Sequence, residues 1–485
     1  MSTAQASLSV TRRIHKNRHR VVVLLPRGEA IRNFVYSGAL EQLSEDVDVT
    51  ALSVVASESV LQYLRHCPYR VEDLETYPER YPVRLVREIL DMAHGRTLWS
   101  KAAQDRWMLR DHEVKHTADR VKRLVKKALA LPFASPRGVR ALSTMERRVS
   151  RCLRTTDRYV VLFKSMSPSL VFNGSHVHST NAIQAVEAAQ WLGIPTAAFL
   201  FSWDNLTSQG RIVPAYDYYL VWNEIIRDQL LQIYPELKPE QVSVTGTPQF
   251  DFHFRSEFYW SRAEFCSRIG ADPDRPIVLY STGMPNHMPG EERIIEQLSD
   301  SLAEMQRFRT PQLVVRVYPK DRTGRFDDLK QRRSDILFPE IPWDAAYHTP
   351  RFEDAPLLTN MLRHCDCGIN VASTISLELC MFDRPVINVA YDPPQMHLGI
   401  HSYAKFYEFD HYAPVVASGA VEVAKSPEEL TRMIIGALQE PKRLGDKRRG
   451  LLETFFGGRL DGACGQRVAD TLGRLAKLRD QQRWN

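Results

Sequence analysis

The segment "INVASTISLELC" (369–380) places three hydroxyl side chains and an acid where an apolar run gives way to a helical pattern. Ser and Thr are favoured N-cap residues, so Ser373 or Thr374 could simply cap a helix. A capping box needs Glu or Gln three residues after the cap, and Glu378 fits neither register. The start of a helix also suits a phosphate, and Ser376 would add a further donor. Glu378 could then accept from two ribose hydroxyls, so we favour a nucleotide site.

Two other loops carry groups that suit a phosphate. "LVVRVYPKD" places Arg316 and Lys320 after a strand, and both cations can bind a diphosphate. "YSTGMP" follows another apolar run with two hydroxyls and a glycine, and its candidates are Ser281, Thr282 and Gly283. Arg316 could instead be a surface side chain on an edge strand. Three such loops at one sheet edge favour the phosphate site.

The first half of the chain offers candidates for a general base. "NGSHVHST" contains His176 and His178, and an imidazole has a pKa suited to proton transfer near neutrality. In "FSWDNLTSQG", Asp204 could be the base, could bind the transferred sugar together with Asn205, or could form an Asx turn. Glu29, after Arg27 and Gly28, is a third base candidate or a first-turn acid that complements a helix dipole. The two histidines could likewise be loop residues with backbone partners.

Strand, loop and helix patterns alternate in both halves, which predicts an α/β protein with two Rossmann-like parallel-sheet domains that face a cleft. We place the first domain at 20–255, with a basic helical insert at about 92–159. The second domain spans 272–445, and a C-terminal helical segment at 446–485 closes the chain. Ligands of such sheets bind at the carboxyl ends of the strands, where the candidate loops lie.

Charge is concentrated in one segment. Residues 101–160 hold 16 Lys and Arg against 6 Asp and Glu, whereas the whole chain has a net charge of +6. Such a segment suits an anionic partner such as a membrane surface, or it is a solvated helical face. It lacks the interleaved aromatic residues of single-strand binders, so we expect no nucleic-acid partner.

The seven cysteines are scattered and odd in number, which indicates a reducing compartment and a cytoplasmic protein. The basic segment could place it at the inner face of the membrane. "HCDC" (364–367) has no second ligand pair at zinc spacing, so no metal site is expected. No run reaches the roughly 18 apolar residues of a membrane helix.

The motifs "RVYPK", "INVASTISLE" and "RPVINVAYD" together resemble the nucleotide-binding half of bacterial GT-B glycosyltransferases. The nearest branch holds the non-hydrolysing UDP-N-acetylglucosamine 2-epimerases and the CDP-glycerol glycerophosphotransferases. "PRGEAIRNF" is similar to the first loop of the epimerases, and "SWDNLTSQG" to a motif of surface-polysaccharide sugar transferases. The chain departs from the epimerases in lacking a Gly-Gly phosphate loop and in carrying Tyr318 where His is frequent.

The resemblance implies a metal-independent, cofactor-free glycosyltransferase. Its donor would be a nucleotide-sugar, with UDP favoured, and its acceptor a glycan, a lipid-linked glycan or a protein. Arg316, Lys320 and the 373–376 hydroxyls would hold the diphosphate, Glu378 the ribose, and Trp343 would stack on the base or belong to the core. The alternatives are a CDP-linked polyol-phosphate transferase, a UDP-sugar 2-epimerase, or a non-catalytic nucleotide or glycan binder.

Overall fold

The computed structural model describes residues 19–55, 57–153, 155–175, 180–305, 310–347 and 349–483. It divides into two compact units. Unit 1 holds the described residues up to 251 with 346–350 and 459–483, and unit 2 holds 252–345 and 351–458. The predicted closing segment 446–485 is thus shared: residues 446–458 belong to unit 2 and the remainder to unit 1.

Unit 1 is built on a seven-stranded parallel sheet of order β3-β2-β1-β4-β5-β6-β7. β-Branched and leucine residues fill its central strands, and residues 21–25 are fully buried. The strands are β1 Arg20–Leu25, β2 Asp48–Ser53, β3 Arg70–Asp73, β4 Leu170–Asn173, β5 Thr196–Phe199, β6 Tyr218–Val221 and β7 Val242–Val244. The first six follow the Rossmann order.

The helices of unit 1 begin with a short α-turn that continues into a π-helix, Ile31–Tyr36. The α-helices are α1 Gly28–Ala30, α2 Ala39–Asp46, α3 Glu58–Leu64, α4 Tyr81–Leu98, α5 Lys101–Glu113, α6 Thr117–Ala130, α7 Pro136–Cys152, α8 Asp157–Met166, α9 Ile183–Trp191, α10 Asn205–Ser208 and α11 Glu224–Ile233. The insert between β3 and β4 therefore starts at 81 and comprises five helices, whereas the sequence placed the start of the helical insert at about residue 92.

Unit 2 is built on a six-stranded parallel sheet of order β10-β9-β8-β13-β14-β15. The strands of this sheet are β8 Ile277–Ser281, β9 Gln312–Arg316, β10 Ile336–Leu337, β13 Cys367–Asn370, β14 Val386–Val389 and β15 Glu422–Ala424. The two-residue strands β11 Trp343–Asp344 and β12 Thr349–Pro350 lie outside this sheet, and β12 belongs to unit 1. Val278, Val315, Ile369 and Ile387 form the core of unit 2 with Ile294 of the covering helix α13. Two Rossmann-like parallel sheets confirm the predicted fold class.

The remaining α-helices are α12 Arg262–Ile269, α13 Glu291–Ala303, α14 Asp327–Arg332, α15 Asp354–His364, α16 Ile375–Met381, α17 Ala413–Ala417, α18 Pro427–Gln439, α19 Gly445–Phe456 and α20 Cys464–Arg483. Short 3₁₀ segments lie at Leu131–Phe133, Pro239–Gln241, Pro248–Phe254, Ser256–Phe258, Gly399–His401 and Tyr403–Glu408. α12 lies between the two predicted domain ranges, 20–255 and 272–445. Within the described ranges, every helix is too short or too polar to cross a membrane.

The C-terminal helix α20 is held to unit 1 by a buried carboxylate. Asp251 accepts hydrogen bonds from the amides of Cys464 (3.1 Å) and Gly465 (2.7 Å), the first two residues of the helix. Burial raises the pKa of Asp251, while these amides partly offset that effect. A carboxylate at this end also complements the helix dipole. The 3₁₀ segment Pro248–Phe254 thus supplies a cap for a helix more than 200 residues away.

Candidate functional site

Three strand ends meet at one edge of the unit 2 sheet. Ser281, the last residue of β8, is in register with Arg316, the last residue of β9. β13 lies on the other side of β8 and ends at Asn370. Because neighbouring strands are about 4.8 Å apart, the loops after β9 and β13 start about 10 Å from each other. The structure therefore brings the three loops singled out in the sequence to the same edge.

Arg316 is buried at this edge and paired with an acid. Its Nη2 donates to both carboxylate oxygens of Asp354, at 2.8 and 3.0 Å, in the first turn of α15. The side chains are 7% and 9% exposed. The Nη1 of Arg316 is buried as well and has no hydrogen-bond partner among the described residues. Asp354 therefore orients the guanidinium and leaves one donor for an acceptor that is not part of the described chain.

The loop after β8 is organised by its own hydrogen bonds. The Thr282 hydroxyl accepts from the amide of Tyr318 at 2.7 Å, which ties this loop to the one after β9. The amide of Gly283 donates to the Glu291 carboxylate at 2.9 Å, so it is not available to a phosphate as the sequence predicted. A side chain at this glycine would meet the sulfur of Met288 at 1.7 Å. A side chain at residue 283 would therefore require the flexible Met288 side chain to move.

A buried acid beneath this loop escaped the sequence analysis. Glu291 is fully buried at the start of α13 and pairs with Arg325, whose Nη2 lies 3.0 Å from its carboxylate. The hydroxyl of Tyr280 also donates to it, at 3.3 Å. Burial raises the pKa of Glu291 to about 7, although Arg325 and these donors favour the charged form. The pair "EE" at 291–292 reads as ordinary first-turn acids, so nothing local indicated the burial.

The loop after β13 turns through an alanine in the left-handed region. Ala372 has φ +39°, a conformation that glycine adopts far more readily. The amide of Ser373 donates to the side chain of Asn370 at 3.1 Å, and the Ser373 hydroxyl accepts from the amide of Ile375 at 3.4 Å. Thr374 is the N-cap residue of α16 but its side chain makes no capping bond. Both hydroxyl residues are half-buried at the sheet edge.

Ser376 lies in the interior and does not take the predicted role of a phosphate ligand. It is fully buried, and its hydroxyl bonds to Tyr412 (2.7 Å), Asn370 (3.1 Å) and the amide group of Asn388 (3.1 Å). The Tyr412 hydroxyl also donates to Asn388 at 2.8 Å. This network anchors the start of α16 to β13 and β14. Ser376 therefore positions the loop that carries Ser373 and Thr374.

Glu378 is held by a histidine that the sequence analysis did not single out. His253 Nε2 lies 2.9 Å from Glu378 Oε2, and its Nδ1 lies 3.0 Å from the Thr359 hydroxyl. His253 is 3% exposed. Glu378 Oε1 accepts no hydrogen bond within the described part of the chain. Glu378 is therefore fixed by one oxygen, and the second remains for a ligand.

The two remaining candidates of unit 2 are half-buried. Lys320 follows Arg316 by four residues in the same loop. Trp343 forms the two-residue strand β11, and its indole Nε1 is a buried donor that has no partner among the described residues. Within the same described ranges, no group of three or more His, Cys, Asp or Glu side chains is arranged to hold a metal ion.

In unit 1, the loop after β1 carries an ion pair. Arg27 Nε lies 3.2 Å from Glu29 Oε2, and Gly28 is buried as the first residue of α1. The π-helix that follows is a rare conformation that recurs at functional sites. Glu29 as a base would thus have a guanidinium beside its carboxylate.

In the loop after β5, the Asp204 side chain makes no capping bond to a backbone amide, so it does not form the Asx turn that the sequence allowed as an alternative. This carboxylate accepts from the hydroxyls of Ser202 and of Ser208, the latter at 2.8 Å, and Asp204 precedes the one-turn helix α10. Asn205 is buried, and its Oδ1 accepts from the amide of Ser202 at 3.0 Å. His176 and His178 lie outside the described residues.

The same edge of the unit 1 sheet contains buried polar atoms without partners. They are Ser175 Oγ after β4, Asn205 Nδ2 after β5 and Thr247 Oγ1 after β7, all unpaired within the described ranges. A buried polar group without a hydrogen bond costs about 1–3 kcal/mol. Ser175 and Thr247 were not candidates in the sequence, because single hydroxyls after strands are common.

Comparison with known proteins finds no matching family model and no matching curated sequence. Solved structures share the fold. Staphylococcus aureus MnaA with UDP is 13% identical with TM-score 0.53, and the match covers 94% of this chain and 96% of that one. A putative UDP-N-acetylglucosamine 2-epimerase of Listeria monocytogenes is 13% identical with TM-score 0.53, covering 93% and 95%. The Neisseria meningitidis UDP-GlcNAc 2-epimerase bound to UDP-GlcNAc is 12% identical with TM-score 0.51, covering 93% and 99%. These similarities confirm the predicted GT-B fold.

Proposed function

We propose that this protein is an enzyme that binds a nucleotide-activated sugar in unit 2 and transfers the sugar to an acceptor. The observation that carries the proposal is the buried Nη1 of Arg316, a cationic donor without a partner in the described chain. A phosphate oxygen would satisfy it with a charge-assisted hydrogen bond. The fold neighbours solved with UDP and with UDP-GlcNAc favour a uridine nucleotide.

The proposed donor site extends from Arg316 across the ends of β8 and β13. The hydroxyls of the loops after these strands would bind the diphosphate together with Lys320, and the second oxygen of Glu378 would accept from the ribose. Trp343, with its unpaired indole donor, would contact the base. The seven residues of α16 provide a small dipole, so the hydroxyls and cations carry the binding. The proposed ligands are Ser281, Thr282, Arg316, Lys320, Trp343, Ser373, Thr374 and Glu378.

Transfer requires that negative charge on the departing nucleoside diphosphate be stabilised and that the acceptor hydroxyl lose a proton. Arg316 and Lys320 would supply the first function without a metal ion. Asp204, Glu29 and His176 are the candidates for the second. Asp204→Asn or His176→Ala should abolish transfer while nucleotide binding persists, and full turnover in both variants would remove these two residues from the reaction.

A screen of donor compounds by thermal denaturation tests the proposal most directly. A ligand at 100 times its Kd stabilises the folded state by about 2.7 kcal/mol, which is a measurable shift in melting temperature. At equal concentration the compound with the lowest Kd gives the largest shift, so UDP-sugars should raise the melting temperature more than GDP-, dTDP- or CDP-linked compounds. Arg332→Gln, at an exposed ion-paired arginine of unit 2, is the matched control for Arg316 variants. Absence of a shift with every compound at millimolar concentration would contradict the donor site.

The fold neighbours favour one alternative reaction, epimerisation at C2 of a UDP-sugar. An epimerase converts the donor without any acceptor, whereas a transferase releases UDP and modifies the acceptor. Incubation with UDP-GlcNAc alone, followed by chromatography of the nucleotide-sugar, separates the two. A new UDP-sugar epimer would establish the alternative, and donor binding without either conversion or hydrolysis would favour a non-catalytic binder.

A further inference from the structure

Helix α6 lies with its basic side against the protein. Lys126 forms an ion pair with Glu88 of α4, and both Arg123 and Lys127 pair with Asp111 of α5. Most surface helices have the reverse orientation, with charges in solvent and the apolar stripe on the core. Three cations on this side of α6 are thus ion-paired within unit 1.

The opposite side of α6 is an exposed aliphatic stripe. Val121, Leu124, Val125 and Leu129 are 54%, 63%, 53% and 49% exposed, and their spacing places them on one helical face. Leu131, directly after the helix, is 59% exposed and continues the stripe. Contiguous apolar surface of this kind in a soluble domain usually marks an interaction site.

Helix α7, next along the chain, presents an exposed row of arginines. Its buried side packs Val139 and Leu142 into the same small core as Ala130 of α6 and Leu90 of α4. The exposed arginines are Arg137, Arg140, Arg147, Arg148 and Arg151, and in the described chain none of them forms an ion pair. Residues 117–152 contain ten Lys and Arg against two Asp and Glu. The aliphatic stripe and the arginine row therefore belong to one packed element, the α6–α7 element.

We propose that the α6–α7 element binds the surface of an anionic phospholipid bilayer. The aliphatic side chains of α6 would enter the boundary between headgroups and acyl chains, and the arginines of α7 would pair with lipid phosphates. Burial of apolar area combined with a polybasic patch is the pair of signals that stable surface binding requires.

The composition of the stripe favours lipid over a protein or nucleic-acid partner. Protein interfaces depend on buried aromatic anchors, and single-strand binders stack bases on aromatic rings. The exposed stripe has only valine and leucine. Unpaired arginines beside it complement negative headgroups, whereas a second copy of the same basic element would be repelled.

Flotation of the full-length chain with lipid vesicles tests the proposal. The protein should float with vesicles of phosphatidylcholine that contain about 30 mol% phosphatidylglycerol, and should not float with phosphatidylcholine alone. Replacing three arginines (R140Q/R147Q/R148Q) should lower the partition coefficient about 100-fold. Replacing the stripe (V121S/L124S/V125S) should lower it at least about tenfold. High salt should release the protein.

Matched variants keep the outcome unambiguous. R268Q/R432Q/R449Q removes three exposed arginines from unit 2, and V161S/I225S/M284S removes three exposed apolar side chains elsewhere. Both should float like the wild type, and all variants should melt normally because the changed side chains are exposed. The proposal would be overturned if the protein bound neutral vesicles equally well, if V121S/L124S/V125S bound like the wild type, or if the wild type failed to float. A dimer in sedimentation that L124S dissolves would assign the stripe to self-association and overturn it as well.

Discussion

Replacing Arg316 by Met should destabilise unit 2 by about 3–5 kcal/mol, because the Asp354 carboxylate would remain buried without its counter-charge. Asp354→Leu should cost a similar amount by leaving the guanidinium unpaired. The two atoms of closest approach are 2.8 Å apart and both side chains are less than a tenth exposed, so solvent screens the pair little. The double variant R316M/D354L should recover most of this loss, since an apolar pair of similar volume often matches a buried ion pair. It also removes the buried donor Nη1, whose missing partner costs about 1–3 kcal/mol.

The double variant separates folding from ligand binding. Urea denaturation measures the stability cycle, and thermal denaturation with UDP measures the donor. The folded double variant should lose about 10–100-fold in UDP affinity, the equivalent of one charge-assisted hydrogen bond of about 1.5–3 kcal/mol. Arg332→Met should change neither quantity by more than about 0.5 kcal/mol. Wild-type UDP affinity in R316M/D354L would refute the assignment of Arg316 to phosphate. Additive single-variant losses would refute the coupling of the pair.

Three further predictions concern stability. Asp251→Ala should cost about 1–3 kcal/mol and speed amide exchange in the first turn of α20, because the Cys464 and Gly465 amides lose their acceptor; unchanged exchange there would contradict the cap. Ala372→Gly should stabilise by about 0.5 kcal/mol through relief of positive φ, and Ala372→Val should destabilise by about 1 kcal/mol, with opposite signs in denaturant titrations as the criterion. Burial raises the pKa of Glu291 from 4.5 to about 7. Between these two pH values the folded protein therefore keeps a proton on Glu291 that the unfolded chain releases. The free energy of unfolding should consequently fall by at most about 3 kcal/mol as the pH rises from 4.5 to about 7. Glu291→Gln should make the free energy of unfolding nearly independent of pH in this range. An unchanged slope in the variant would show that another group causes the pH dependence.

Much of the sheet architecture could be predicted from the sequence, because the controlling signals are local. Runs such as 21–25 and 313–315 are continuous apolar segments followed by polar loops, which indicates buried parallel strands. Since parallel strands end at a common edge, Arg316 and Ser373 could be assigned to that edge before the structure was known. The bounds of the helical insert between β3 and β4 were harder to predict, because its helices follow one another without the strands that separate helices in the rest of the chain.

The tertiary structure decided which polar groups are committed to the interior. Arg316 meets Asp354 across 38 residues and Glu378 meets His253 across 125, and no local pattern encodes such a pairing. Ser376 has the same residue type as Ser373 and lies three positions away. A helical turn nevertheless directs Ser376 into a buried network, whereas Ser373 stays half-buried at the sheet edge.

Helix α6 shows the same difference between what the sequence determines and what the tertiary structure determines. Its periodicity determines that one face is aliphatic and the other basic, and on that ground alone the aliphatic face would be expected in the core. Glu88 and Asp111, on two other helices, form ion pairs with the basic face, which therefore packs against the protein. Sequence periodicity determines that a helix has two faces, whereas the partners brought together by the fold determine which face meets the solvent.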